Sequence, residues 1–237
     1  MLIEIFDASN KTYGYRRLKL ALKNFYNIIL AYKTVRKLMK ELQLICKVRK
    51  KKYRYISRIS NKITPNLLNR VFRKDAPDQA WVTDVSEFRV NRKRLYLSVI
   101  QDLYNGEIKG YQLSRNHNQE LILETLRKAL DQQSDLMKLL IHSDQGILYQ
   151  SPKYRNYLKK SNFIQSMSSK GNAYDNAVIE SFFGTLKCET IYLQKVRTLS
   201  DLIKIIDQYI YWYNHERIKL TLGGYSPIQF RLMNQPM

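Results

Sequence analysis

Apolar side chains recur at two different periods along this chain, and the change of period divides it. Met1–Phe6 reads as a short apolar helix or arm. Leu18, Leu22 and Phe25 then fall at helical spacing, which predicts a helix from about Arg17 to Asn24. Val35, Leu38, Met39 and Leu42 repeat at i, i+3, i+4 and i+7 and predict a second helix over Tyr32–Leu42. From Trp81 the period falls to two. Trp81–Phe88 reads as a strand with Val82, Asp84 and Ser86 on one face. A polar turn at Arg89–Lys93, a strand at Leu95–Ile100, a turn at Asn105–Gly106 and a strand at Ile108–Leu113 complete a meander. Helical spacing then returns. Asn118 can cap a helix over Gln119–Leu130, with Ile122, Leu126, Ala129 and Leu130 inward. A strand at Leu139–His142, a short helix at Tyr154–Leu158 and a short strand at Ile164 follow.

The next helix is expected from about Ala173 to Lys187. Asn172 and Asp175 form a plausible capping pair at its start, and Ala177, Phe182 and Leu186 face the core. Ser200 can cap a last long helix to about Tyr213, with Leu202, Ile206, Tyr209 and Tyr213 as its stripe. The tail reads as a loop ending in a turn near Pro227. From Trp81 onward the order is β-β-β-α-β-α-β-α-α. It matches a ribonuclease-H-like α/β fold, a mixed sheet with helices on both faces. The strand reached through a helix should lie parallel to its neighbour. The two N-terminal helices resemble a helix-turn-helix unit. The expected division is a helical, basic domain and linker over 1–62, a linker over 63–80, and a core with C-terminal helices over 81–237.

Charge sharpens that division. The chain has 237 residues and a net charge of +21. Residues 1–75 carry 20 Lys/Arg against 4 Asp/Glu, a net of +16, and the remainder carries +5. A charge of this size favours a polyanionic partner and speeds encounter with nucleic acid. Arg16, Lys33, Arg36 and Lys37 on the first helices are candidate DNA contacts, although a solvated lysine face would look the same. The stretch KVRKKKYRYISR at 47–58 adds Lys50, Lys51, Lys52 and Arg54, cations suited to phosphates. Cys46 and Cys188 are far apart, and His117, His142 and His215 do not cluster, so neither a disulfide framework nor a zinc site is expected. The sequence shows no signal peptide and no run of eighteen apolar residues. A reducing, cytoplasmic setting without membrane contact is the expectation.

Three carboxylates stand out against this pattern. Asp84 lies in the first strand, Asp144 just past the fourth, and Glu180 on the helix, with 35 residues between Asp144 and Glu180. Cutting a phosphodiester at neutral pH needs concentrated positive charge and an aligned nucleophile. Two divalent cations held by three carboxylates supply both. Oxygen donors suit Mg²⁺ or Mn²⁺. Lys187 lies seven residues beyond Glu180, on the same helical face, and can hold a phosphate or stand as a surface lysine. His142 can orient a ligand or phosphate, or sit buried at the strand end. Gly146 is expected to permit a tight turn. The SMSSKGN segment before the helix reads as a flap, from which Lys170, Asn172 and Asn176 can reach DNA.

At these residues the chain resembles the second-reading-frame transposases of bacterial insertion sequences, which share the retroviral-integrase catalytic core. The resemblance rests on YGYRR at 13–17, WVTDVSEF at 81–88, YLSVIQDLYNGEIKGY at 96–111 and IHSDQGILY at 141–149. It continues through SMSSKGNAYDNAVIESFFGTLKCE at 166–189 and WYNHERIKLTLGGYSPIQF at 212–230. Where many members carry proline and histidine after the tail arginine, Ile218 and Lys219 follow Arg217 here. The resemblance implies a DDE polynucleotidyl transferase with Asp84, Asp144 and Glu180 as catalytic and metal-binding residues and Lys187 as the associated basic residue. It implies DNA integration and transposition at element ends in a bacterial, nucleoid-associated setting. Double-stranded DNA, element ends and target alike, is then the partner, with self-association on DNA and a first-frame partner or fusion. A plain nuclease of the ribonuclease H type and a DNA-binding regulator are the alternatives.

Overall fold

In the computed structural model, residues 1–48, 64–68, 74–131, 138–168 and 176–234 are described. They form five strands and nine α-helices. In order these are α1 (Leu2–Ala8), α2 (Tyr15–Tyr26), α3 (Tyr32–Glu41), β1 (Ala80–Val90), β2 (Lys93–Asp102) and β3 (Ile108–Ser114). Then come α4 (Gln119–Leu130), β4 (Leu140–Ser143), α5 (Ile147–Gln150), α6 (Pro152–Lys160), β5 (Ile164–Met167), α7 (Ala177–Leu186), α8 (Leu199–His215) and α9 (Pro227–Met233). The chain divides into two compact units. One gathers Met1–Lys52, Leu186–Lys195 and Ile205–Met237; the other gathers Tyr53–Thr185 and Val196–Lys204.

The second unit is built on a five-stranded sheet of order β3-β2-β1-β4-β5. β1, β2 and β3 form the antiparallel meander. β4 pairs parallel to β1, and β5 parallel to β4, as crossover connections require. This is the ribonuclease-H-like mixed sheet read from the sequence. The β1–β2 hairpin closes tightly, since Val90 pairs with Lys93 and both Asn91 and Arg92 have positive φ (47° and 64°). Asn118 caps α4 by accepting from the Leu121 N–H. Helix α4 lies directly on β3: a Cβ at Gly110 would meet the Ala129 nitrogen and the Thr125 oxygen at 2.7 Å. The core joins Trp81 and Ile100 from the sheet to Ile122, Leu126 and Ala129 of α4 and Tyr154 and Leu158 of α6.

The first unit packs Phe6, Tyr13, Leu18, Ala21, Leu22 and Val35 around Ile218, with Trp212 against them. Two motifs distant in sequence meet here on a buried carboxylate. Glu189 accepts from Arg217 Nε and Nη2 at 2.7 Å each, from Tyr209 at 2.9 Å and from Arg17 at 3.3 Å. The Tyr13 hydroxyl accepts from the Ile218 N–H at 2.8 Å.

Several local expectations change. Phe25 and Leu42 are exposed, and Ala21 takes the inward place on α2. Ala177 is exposed, and Ile179, Phe182, Phe183 and Leu186 form the buried stripe of α7 at i, i+3, i+4 and i+7. The cap expected of Asn172 and Asp175 lies outside the described residues. Thr198, not Ser200, starts α8: its hydroxyl accepts from the Asp201 N–H while Asp201 accepts from the Thr198 N–H, both at 3.0 Å. The tail runs as a loop with a 3₁₀ turn at Leu220–Leu222, as expected, and its end from Pro227 is a helix, α9, begun by a capping box between Ser226 and Gln229. Beyond α7 the chain makes one π turn, Lys187–Ile191. Among the described residues no helix is long and apolar enough to cross a membrane.

Candidate active site

Strand pairing fixes the first two carboxylates. β1 and β4 run parallel with Val82 opposite His142. Two residues further along each chain segment stand Asp84, still within β1, and Asp144, just past the end of β4. The charges of both carboxylates act on the same buried hydroxyl, that of Tyr149. Each carboxylate is held by its own backbone. Asp84 Oδ1 accepts from the Val85 N–H at 2.7 Å, and Asp144 Oδ1 from the Gly146 N–H at 2.8 Å. Gly146 has ordinary φ and ψ of −59° and 144°, so a tight left-handed turn is not its role. A Cβ there would stand 2.8 Å from Asp144 Oδ1. Glycine keeps that carboxylate in place.

Support from below comes from groups whose role the sequence does not announce. Tyr149 of α5 is buried and shares a hydrogen bond with Thr83 at 3.3 Å. Burial pushes its hydroxyl well above the ordinary tyrosine value, and the negative charge of Asp84, then of Asp144, adds to that rise. The phenol therefore stays neutral beside the pair. Gln145 donates to the Ser168 carbonyl at 3.1 Å and ties the Asp144 loop to the end of β5. The available signal for Tyr149 was its position in IHSDQGILY, one short turn beyond Asp144.

His142 is fully buried, with Nδ1 2.9 Å from the Ser166 hydroxyl and Nε2 3.0 Å from that of Ser168. Ser166 Oγ already accepts from the Leu67 and Leu68 N–H groups, so its proton goes to Nδ1. Nε2 then carries the imidazole proton and donates to Ser168. The ring is a strut between β4 and the end of β5.

Glu180 is exposed in the first turn of α7. Among the described residues no group of three or more His, Cys, Asp and Glu is close enough to hold a metal together. Among the described residues, therefore, the three carboxylates do not form one group. Lys187 is half-buried on the π turn. The donor set fits a hard divalent cation: carboxylate oxygens, from Asp84 within β1 and Asp144 just past β4.

The remaining candidates scatter. Arg16 and Arg36 are exposed and flank the Tyr15 ring at 5.6 and 5.5 Å. Lys33 is exposed, and Lys37 pairs with Glu41 at 3.8 Å. Asn176 is buried, not presented to solvent. Lys50, Lys51, Lys52, Arg54, Lys170 and Asn172 lie outside the described residues.

Known proteins match over the same regions. Two models of the integrase core domain match residues 74–173 and 180–234, and an HTH-like domain model matches residues 2–52. The putative transposase InsK of insertion sequence IS150 from Escherichia coli is 40% identical over 228 residues, covering 96% of this chain and 80% of that protein. A transposase-like protein of Haemophilus influenzae is 42% identical over 200 residues, covering 84% and 92%. Among solved structures, the HTLV-2 integrase catalytic core in complex with magnesium aligns with a TM-score of 0.53 at 15% identity, covering 66% of this chain and 98% of that one. That likeness is one of fold.

Proposed function

Since the chain belongs to the family of bacterial insertion-sequence transposases with an integrase core, we propose that it cuts DNA at element ends and joins the exposed 3′-hydroxyl to a second phosphodiester. The observation that supports this most is that Asp84, within β1, and Asp144, just past the parallel strand β4, both act by their charge on the buried Tyr149 hydroxyl. In this reading Asp84, Asp144 and Glu180 hold Mg²⁺ or Mn²⁺. When bound, such ions supply the positive charge that lowers the barrier to phosphoryl transfer. The backbone bonds from Val85 and Gly146 pre-orient the two aspartates, so little ordering is left for the reacting complex. Tyr149, neutral and buried, keeps water from beneath them. Lys187 holds a DNA phosphate. The N-terminal helices and the basic stretch after them grip the duplex, and at least two copies hold paired ends, with a first-frame partner or fusion contributing end recognition.

A joining assay tests the reading. The full chain, an oligonucleotide duplex with the element's terminal sequence and a supercoiled plasmid are incubated with Mg²⁺. Covalent transfer of the labelled 3′ end into the plasmid is expected. Nicked plasmid with no joined product would make the chain a plain nuclease. DNA binding with neither product would favour the regulator.

A further inference from the structure

A basic cleft within the sheet-bearing unit is used by none of this chemistry. It lies where the tip of the β1–β2 hairpin meets the end of β3 and the start of α8. Asn91, Lys93, Arg115, Arg197, Thr198 and Ser200 line it, with Val90 and Leu199 at its base. Three of the eight lining residues are cationic and none is acidic. Among the described residues Lys93, Arg115 and Arg197 make no ion pair. The nearby carboxylates are engaged elsewhere: Glu87 pairs with Arg89 and Arg94, and Asp201 accepts from the Thr198 N–H within its helix start. Arg92, at the hairpin tip, adds a fourth exposed cation beside the cleft.

The cleft is also held in shape. Asn91 Nδ2 donates to the Arg197 carbonyl at 2.6 Å and ties the hairpin tip to the residue that precedes the α8 start. Cations gathered on fixed backbone with no carboxylate among them raise the local potential and select for an anion. The volume, about 280 Å³, lies below the usual range of roughly 300–1,000 Å³ for enclosed small-molecule sites. A shallow cationic groove of that size suits a stretch of polymer backbone better than an engulfed cofactor.

Its position gives the ligand a register. Val90 lies six residues beyond Asp84 on β1. At about 3.4 Å per residue that is on the order of 20 Å. Duplex DNA rises about 3.4 Å per base pair along each strand, so 20 Å corresponds to about six base pairs. We propose that this cleft binds backbone phosphates of the DNA about six base pairs from the phosphodiester at Asp84 and Asp144. The proposal rests on the transposase reading above and adds to it a phosphate subsite on the core itself, separate from the basic N-terminal third.

The test compares two full-length variants with the parent. One is Lys93→Gln/Arg115→Gln/Arg197→Gln. The other, Arg155→Gln/Lys159→Gln/Lys160→Gln, removes equal charge from exposed positions on α6. Binding is measured across a salt series on two labelled duplexes with the element's terminal sequence. One extends well beyond the cut on both sides; the other stops about four base pairs from it. On the long duplex the cleft variant should bind roughly tenfold more weakly, with a salt slope shallower by about 2 to 3, since each phosphate that is no longer neutralised removes about 0.9. The α6 variant should keep the parent slope, and on the short duplex all three proteins should bind alike. Unchanged slope and affinity in the cleft variant would overturn the subsite, as would an equal loss on both duplexes or in both variants. Failure of the parent to bind either duplex would overturn the transposase reading itself.

Discussion

Asp144→Asn and Asp84→Asn are each expected to slow metal-dependent cutting of an element end by about a thousandfold or more, with the fold and DNA binding kept. A thousandfold corresponds to about 4 kcal/mol of transition-state stabilisation, within the several kcal/mol that a correctly held cation contributes. The amide is isosteric, and its oxygen can still accept from the Val85 or Gly146 N–H, so the local turn survives. What is lost is a ligand charge. Two neighbouring carboxylates also repel one another, so removing one charge should leave the metal-free protein as stable as the parent or slightly more stable. Single-turnover cutting with Mg²⁺, beside a binding titration and a thermal melt, separates the outcomes. Loss of folded structure in both amides would make the aspartates structural.

The largest expected loss of stability lies at Glu189. Its carboxylate is buried with Arg217, Arg17 and Tyr209 around it. Burial works against the charge. The Arg217 hydrogen bonds, with the charges of Arg217 and Arg17, outweigh it and hold Glu189 below the ordinary carboxylate range. Glu189→Ala strands a buried guanidinium, a defect that costs about 3–5 kcal/mol. For a chain of this size that lowers a melting transition by on the order of 10 °C. Replacing both partners, Glu189→Leu with Arg217→Met, should cost less than the single change, because the only charge left without its partner is that of Arg17, which is partly exposed to water. The sign with pH follows from the depressed value. The contribution is complete above the unfolded carboxylate range and is lost as pH falls through the lower folded value. Parent stability should therefore drop more steeply in acid than that of the double variant. Equal melting temperatures for parent and Glu189→Ala would show the cluster to be energetically idle.

The sequence carried the sheet well, because it writes itself in local pattern. Period-two runs from Trp81 gave the meander, and β1 and β4 could be joined in parallel from the helix between them. Asp84 was visible as an acid within a strand and Asp144 as one just past a strand end. What escaped was set by contacts across long separations. The role of Gly146 depends on an oxygen two residues away, not on a positive φ. His142 was ambiguous until Ser166 and Ser168 were placed beside it. Arg17, Glu189 and Arg217 belong to three separate motifs, and only packing shows that they meet. The expected inward places of Phe25 and Ala177 failed for a simpler reason: at a helix end, spacing alone does not say where burial stops. The basic cleft joins a hairpin, a strand end and a helix start, none distinctive by itself.

Glu180 tests the central claim, that three carboxylates act as one metal site, because among the described residues the three are not gathered into one group. The measurement is single-turnover Mg²⁺-dependent cutting of a labelled element end by Glu180→Gln, with the parent and Asp144→Asn alongside and DNA binding measured for all three. Cutting by Glu180→Gln at the low rate of Asp144→Asn, with parent-like DNA binding, is the predicted result. A near-parent rate would contradict the claim and leave the two aspartates without their third ligand.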